Sequence, residues 1–221
     1  MTVSFNASAT STATAITIPS GALVGDWAIL FDHAHRSSGG LPSSTVPTGW
    51  TQIGSPLDNG STRKWIVSYK ILVSGDPGSP VSGMGGDSNT DEVDKVMFVF
   101  SSSTGSFTSA TSSTWNGQQT TADPTSQTVS ASGQTTPLIV LGQSFCSNAA
   151  GAFSTASPAF DSTVANGSTH MLGGYKIYNS SPSNHTIDQN DLGATNCLRS
   201  GYVQLVEAAA AAVSGRMFAI F

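Results

Sequence analysis

Hydrophobic positions along this chain repeat every second residue, so its elements read as strands rather than helices. In the segment 64–73, Trp65, Val67, Tyr69, Ile71 and Val73 fall on one face. Lys64, Ser68 and Lys70 fall on the other, the alternation of a long half-buried strand. From Gly25 onward, Trp27, Ile29 and Phe31 share a face in the same way. The segments 95–100 and 137–141 are apolar on both faces, which predicts central strands covered on both sides. Further strands are predicted over 13–18, 49–54, 170–178, 201–206 and 216–221. Turn residues separate them, at Pro19-Ser20-Gly21, Asp58-Asn59-Gly60, Gly75-Asp76-Pro77-Gly78 and Asn166-Gly167. About ten antiparallel strands at this spacing predict an all-β fold, a β-sandwich or a jelly-roll-like arrangement.

The stretch 101–136 is nearly all Ser, Thr, Gly, Gln and Ala, with Phe107 and Trp115 as isolated aromatics. We read it as long loops carrying short strands near 107–110 and 126–131. Neither flank alone has enough strands to close a sandwich, so residues 1–221 are expected to form a single domain. Residues 207–212 allow a short helical turn.

Composition sharpens this picture. Only 10% of the 221 residues are charged, against roughly a quarter in ordinary domains. Ser and Thr number 36 and 25, so the exterior is hydroxylated rather than ionic. A helical bundle needs charged outer faces and is excluded. The net charge of −5 argues against nucleic-acid binding. No apolar run reaches the length of a membrane span, and the first residues lack the basic and apolar blocks of an export signal. Cys146 and Cys197 allow one bridge or two buried thiols.

Candidate chemistry is sparse. Gly86-Asp87-Ser88 and Asp32-His33-Ala34-His35 supply the letters of a Ser–Asp–His esterase, but in the wrong chain order and the wrong fold class. His33 and His35 fall on one strand face, a spacing compatible with a metal pair that His170 or His185 would have to complete. Asp87, Asn89 and Asp91, with Glu92 and Asp94, offer alternating oxygen ligands, yet the glycine and glutamate of a calcium loop are missing. Asp188-x-Asn190-Asp191 fails likewise. No cofactor, metal or catalytic residue is therefore expected. Of the four tryptophans, Trp27 and Trp65 are in phase with apolar neighbours and predicted to be buried. Trp50, after Pro47-Thr48-Gly49, is expected to plug one end of the sandwich. Trp115, in a polar loop, is the one expected to be exposed and available to a ligand.

One ordered combination goes beyond composition. Val24-Gly25-Asp26-Trp27-Ala28-Ile29-Leu30 is followed by Val46-Pro47-Thr48-Gly49-Trp50-Thr51-Gln52-Ile53, then by Trp65-Ile66-Val67-Ser68-Tyr69-Lys70-Ile71-Leu72 and Ser74-Gly75-Asp76-Pro77-Gly78. Across roughly residues 20–145 this resembles a group of bacteriophage and prophage virion proteins built on a β-sandwich module. The resemblance implies a non-enzymatic structural protein of the virion, made in the host cytoplasm. A capsid decoration or head spike or fibre protein comes first. It implies other virion proteins of the capsid or tail as partners, and a symmetric homo-oligomer, often a trimer. The alternative is a tail-associated adhesin module that binds host-surface glycans, with Trp115 as a contact.

Overall fold

Strands that are apolar on both faces need cover on both sides, and this chain supplies it by stacking four layers. The computed structural model describes residues 2–36, 38–42, 45–59, 63–83, 92–103, 107–111, 127–146, 153–166, 171–189 and 197–208. Fifteen strands and no helix occur among them. The first half contributes β1 (Val3–Ser11), β2 (Ala15–Thr17), β3 (Trp27–His35), β4 (Thr51–Asn59), β5 (Arg63–Ile71), β6 (Pro80–Ser82) and β7 (Glu92–Ser102). The second contributes β8 (Phe107–Thr111), β9 (Gln127–Val129), β10 (Leu138–Cys146), β11 (Phe153–Ser157), β12 (Ser162–Ala165), β13 (Met171–Tyr178), β14 (His185–Gln189) and β15 (Cys197–Glu207).

Two five-stranded antiparallel sheets form the centre, in the orders β1-β7-β3-β5-β4 and β12-β13-β10-β15-β8. The all-β sandwich is thus a finding, with fifteen strands among the described residues where about ten were expected. Each sheet is drawn from one half of the chain, and each leaves one face for the other half to cover. The shared core holds Trp27, Phe31, Trp65, Phe98 and Phe100 from the first sheet against Ile139, Leu141, Tyr175, Val203 and Leu205 from the second. Tyr175 is the seam: its ring stacks on Phe5 at 4.7 Å and meets Phe98 and Phe100 edge-on at 5.7 and 5.3 Å. Such pairs add about 0.5–1.5 kcal/mol each beyond the area they bury. Gly173 is required beside them, because a Cβ there would lie 2.7 Å from the Phe98 ring and push the sheets apart.

The outer layers are small. The two-stranded sheet β2-β6 covers the first sheet, packing Ile16, Ile18 and Val81 on Ala28, Leu30, Met97 and Val99. The three-stranded sheet β11-β14-β9 lies outside the second, where Val129 and Ala131 pack with Leu138, Val140, Tyr178 and Val206. Thus β3, β7 and β10 are covered on both faces, as their sequence requires.

Trp27 and Trp65 are buried in the shared core, at 4% and 1% exposure. Trp50 is buried as well, but in the cluster between the first sheet and β2-β6 rather than at an end of the central core. The apolar face of β5 is not uniformly covered: Trp65 and Val67 are buried, whereas Ile71 and Val73, where the strand runs out into a turn, are 42% and 54% exposed. Trp115, the strand expected over 216–221 and the rest of the helical turn expected after Glu207 lie outside the described residues. Glu207 itself ends β15 as extended chain.

Candidate functional site

Three of the four segments that carry the resemblance contain the same turn, and the fourth, 65–72, is most of β5. In Leu23-Val24-Gly25-Asp26 the Asp26 amide donates to the Leu23 carbonyl at 3.1 Å, and Gly25 has φ 91°. In Val73-Ser74-Gly75-Asp76 the Asp76 amide donates to Val73 at 3.1 Å, again with φ 91° at the glycine. Pro47-Thr48-Gly49-Trp50 closes likewise at 3.0 Å with φ 79°, and Asp76-Pro77-Gly78-Ser79 at 2.9 Å with φ 80°. A positive φ at the third position is the type II turn, which glycine adopts without a Cβ clash.

In both Gly-Asp turns the aspartate then reaches back to cap the turn. Asp26 Oδ2 accepts from the Leu23 amide at 2.8 Å and from Asn6 Nδ2 at 2.6 Å, while its Oδ1 accepts from Ser101 Oγ at 2.7 Å. Asp76 Oδ2 accepts from the Val73 amide at 2.7 Å, and its Oδ1 takes Lys70 Nζ at 2.7 Å. Burial works to raise the Asp76 pKa, but the bonds from Lys70 and Val73 and the Lys70 charge outweigh it and hold the carboxyl below its ordinary value. The two turns are joined back to back, Gly25 N donating to Leu72 O and Leu72 N to Asp26 O, each at 2.8 Å.

This end of the molecule has two surfaces. Leu23 and Val24 are 62% and 66% exposed and, with Ile71 and Val73, flank that backbone pairing. Among the described residues they are the large apolar side chains most at odds with the usual burial of such groups. Behind the second turn, a half-open pocket of about 250 Å³ is lined by Ile18, Pro47, Thr48, Trp50, Lys70, Asp76, Ser79, Pro80, Val81 and Ser82. Ile71 and Lys70 are neighbours on one strand, so Ile71 of the patch and Lys70 of the pocket point to opposite sides of the first sheet.

The far end of β3 is polar but closed. His33 and His35 do share a face, as their spacing predicts, and they meet Asp94 and Glu92, their register partners on β7. His33 Nδ1 lies 3.3 Å from Asp94 Oδ2 and His35 Nδ1 lies 3.6 Å from Glu92 Oε2. Asp94 also accepts from Asn166 Nδ2, which ties the two central sheets together. Burial, outweighing the pull of Asp94, lowers the His33 pKa to about 4. Burial likewise lowers the Arg63 guanidinium from its ordinary value, against the pull of Asp94. On the opposite face Lys95 pairs with Asp32, both fully enclosed, under Gly83, where any Cβ would overlap the Asp32 carboxylate. Four charged or imidazole groups thus sit inside strands that pattern alone marks as apolar. The signal for them was the register itself: Asp32 opposite Lys95 and His33 opposite Asp94.

Among the described residues no three or more His, Cys, Asp or Glu converge to hold a metal ion. His170, Ser88 and the 87–91 part of the calcium candidate lie outside them. Asp188 lies on β14, and Asn190 and Asp191 lie outside. His185 is buried on β14 against Phe160, ring centroids 4.7 Å apart. Its pKa is lowered to about 4, by burial first and by the Lys176 charge second, against the pull of Asp161. Cys146 and Cys197 are register partners on β10 and β15. No family model, curated protein or solved structure matches this chain.

Proposed function

We propose that the protein is a non-enzymatic structural component of a bacteriophage particle, a capsid decoration or head spike or fibre protein held to the particle by its turn end. The observation that carries this reading is the patch of Leu23, Val24, Ile71 and Val73. Four aliphatic side chains, three presented on aspartate-capped turns and Ile71 at the end of β5, suit a standing contact with another protein better than they suit open solvent. The segments presenting them are those that resemble virion proteins, and the hydroxylated, charge-poor exterior suits a durable particle surface. Other virion proteins are the partners this reading names, together with further copies of the chain.

The test is co-sedimentation of the purified chain with particles of the encoding phage that lack it. The unaltered chain is expected to pellet with the particles. The double variant Leu23→Asp, Val24→Asp should stay in the supernatant with an unchanged unfolding midpoint. Pelleting of both proteins alike would remove the patch from the account, and pelleting of neither would remove the particle.

A further inference from the structure

We propose that the pocket beside Trp50 is a binding site for one neutral sugar ring. It lies apart from the patch and does not depend on the particle reading. Size comes first. At about 250 Å³ it falls below the range of drug-sized sites, roughly 300–1,000 Å³, and suits a single small ring rather than an extended ligand.

The lining then selects the chemistry. It includes Trp50, Pro47, Pro80, Val81 and Ile18 as apolar residues. It also includes Thr48, Ser79, Ser82 and the Lys70–Asp76 pair. A lining that mixes ring and aliphatic carbon with donors and acceptors matches a pyranose, whose C–H face is apolar and whose edge carries hydroxyls. The two charges cancel within the pocket, Nζ to Oδ1 being 2.7 Å, so an anion or a cation would have to compete with the existing partner. A neutral ligand needs no such exchange. Lys70 has further N–H protons to donate and Asp76 has lone pairs to accept, the pattern that hydroxyl groups satisfy.

The pocket is also held in shape before any ligand arrives. Gly49 at φ 79° carries Pro47 and Trp50 on one tight turn, and a Cβ at Gly49 would lie 3.8 Å from Lys70 Nζ. Asp76 is fixed by the Val73 amide and Lys70 together. A preformed site loses less ordering free energy on binding, which a small ligand with few contacts requires.

The experiment is ligand-observed NMR on the intact protein with the methyl glycosides of glucose, galactose, mannose and N-acetylglucosamine. At least one is expected to bind, with Kd on the order of 1 mM. Ser82 is exposed, so Ser82→Trp fills the pocket without entering the core and should weaken that binding at least about tenfold. Asp76→Asn should also weaken it. The unfolding midpoint of Ser82→Trp, measured beside it, separates a blocked pocket from a lost fold. If none of the four glycosides binds, or if Ser82→Trp binds as well as the unaltered chain, the site is not here. Neither result depends on how many copies a particle holds.

Discussion

Single residues decide the two ends of this molecule in different ways. At the turn end, backbone conformation is the constraint. Gly25 and Gly75 both stand at φ 91°, where an added Cβ meets no neighbour but the backbone resists it. Gly25→Ala and Gly75→Ala are each expected to cost about 1–3 kcal/mol in chemical denaturation. A neutral result would mean that the turns relax to another type. Trp50 fills the outer cluster, so Trp50→Ala should cost about 3–5 kcal/mol, and a change near zero would place the indole in solvent.

Acid sensitivity also belongs to single residues. His33 and His185 have folded pKa values lowered to about 4 from an ordinary 6.5. A depressed base binds protons more readily in the unfolded chain, so stability is whole above about pH 6.5 and falls as the pH drops toward 4. The loss is a few kcal/mol at most, divided between the two imidazoles. Denaturation midpoints at pH 7, 5 and 4 should fall in that order, and the His33→Gln variant should flatten the slope. A midpoint that does not move between pH 7 and 4 would show both imidazoles to be solvated.

At the scale of elements, pattern was legible wherever aliphatic and aromatic residues alternate or run together. The expected strands at 64–73, 95–100, 137–141, 170–178 and 201–206 correspond to β5, β7, β10, β13 and β15, and even the short expectations near 107–110 and 126–131 correspond to β8 and β9. The strands that pattern missed are β1, β6, β11, β12 and β14. Their residues are mostly Ser, Thr, Ala and Asn, whose side chains give no hydrophobic period, as in Val3–Ser11. What holds β1 is its ladder with β7, with a bulge between Phe5 and Ala7, and a partner ninety residues away leaves no local trace. Register likewise brings Cys146 opposite Cys197, within the Cα span that a bridge requires. Mild oxidation is expected to consume both thiols, and two thiols still titratable after it would contradict this register.

For the whole molecule, composition and periodicity sufficed for an all-β sandwich but not for its layering. Doubly apolar strands announced that cover exists on both sides. They did not say that β2-β6 and β11-β14-β9 provide it, because β6, β11 and β14 carry too few apolar residues to be seen as elements and nothing local shows which strands β2 and β9 pair with. The candidate surfaces were half legible: Pro47, Gly49, Trp50 and the Gly-Asp pairs stood out as turn chemistry, whereas the convergence of Pro47, Trp50 and Asp76 on one pocket is a tertiary fact. The buried pairs Asp32–Lys95 and His33–Asp94 were hidden for a related reason, since burial of a charge depends on its partner strand. The exposed patch and the absence of strong surface charge both bear on assembly at this scale.

The proposal that this chain is part of a virion is open to quantitative mass spectrometry of purified particles of the phage that would encode it. Counted against the major capsid protein, the chain is predicted to be present in many copies per particle, as a decoration or head spike or fibre protein would be. Its complete absence from particles that are otherwise intact would contradict the account.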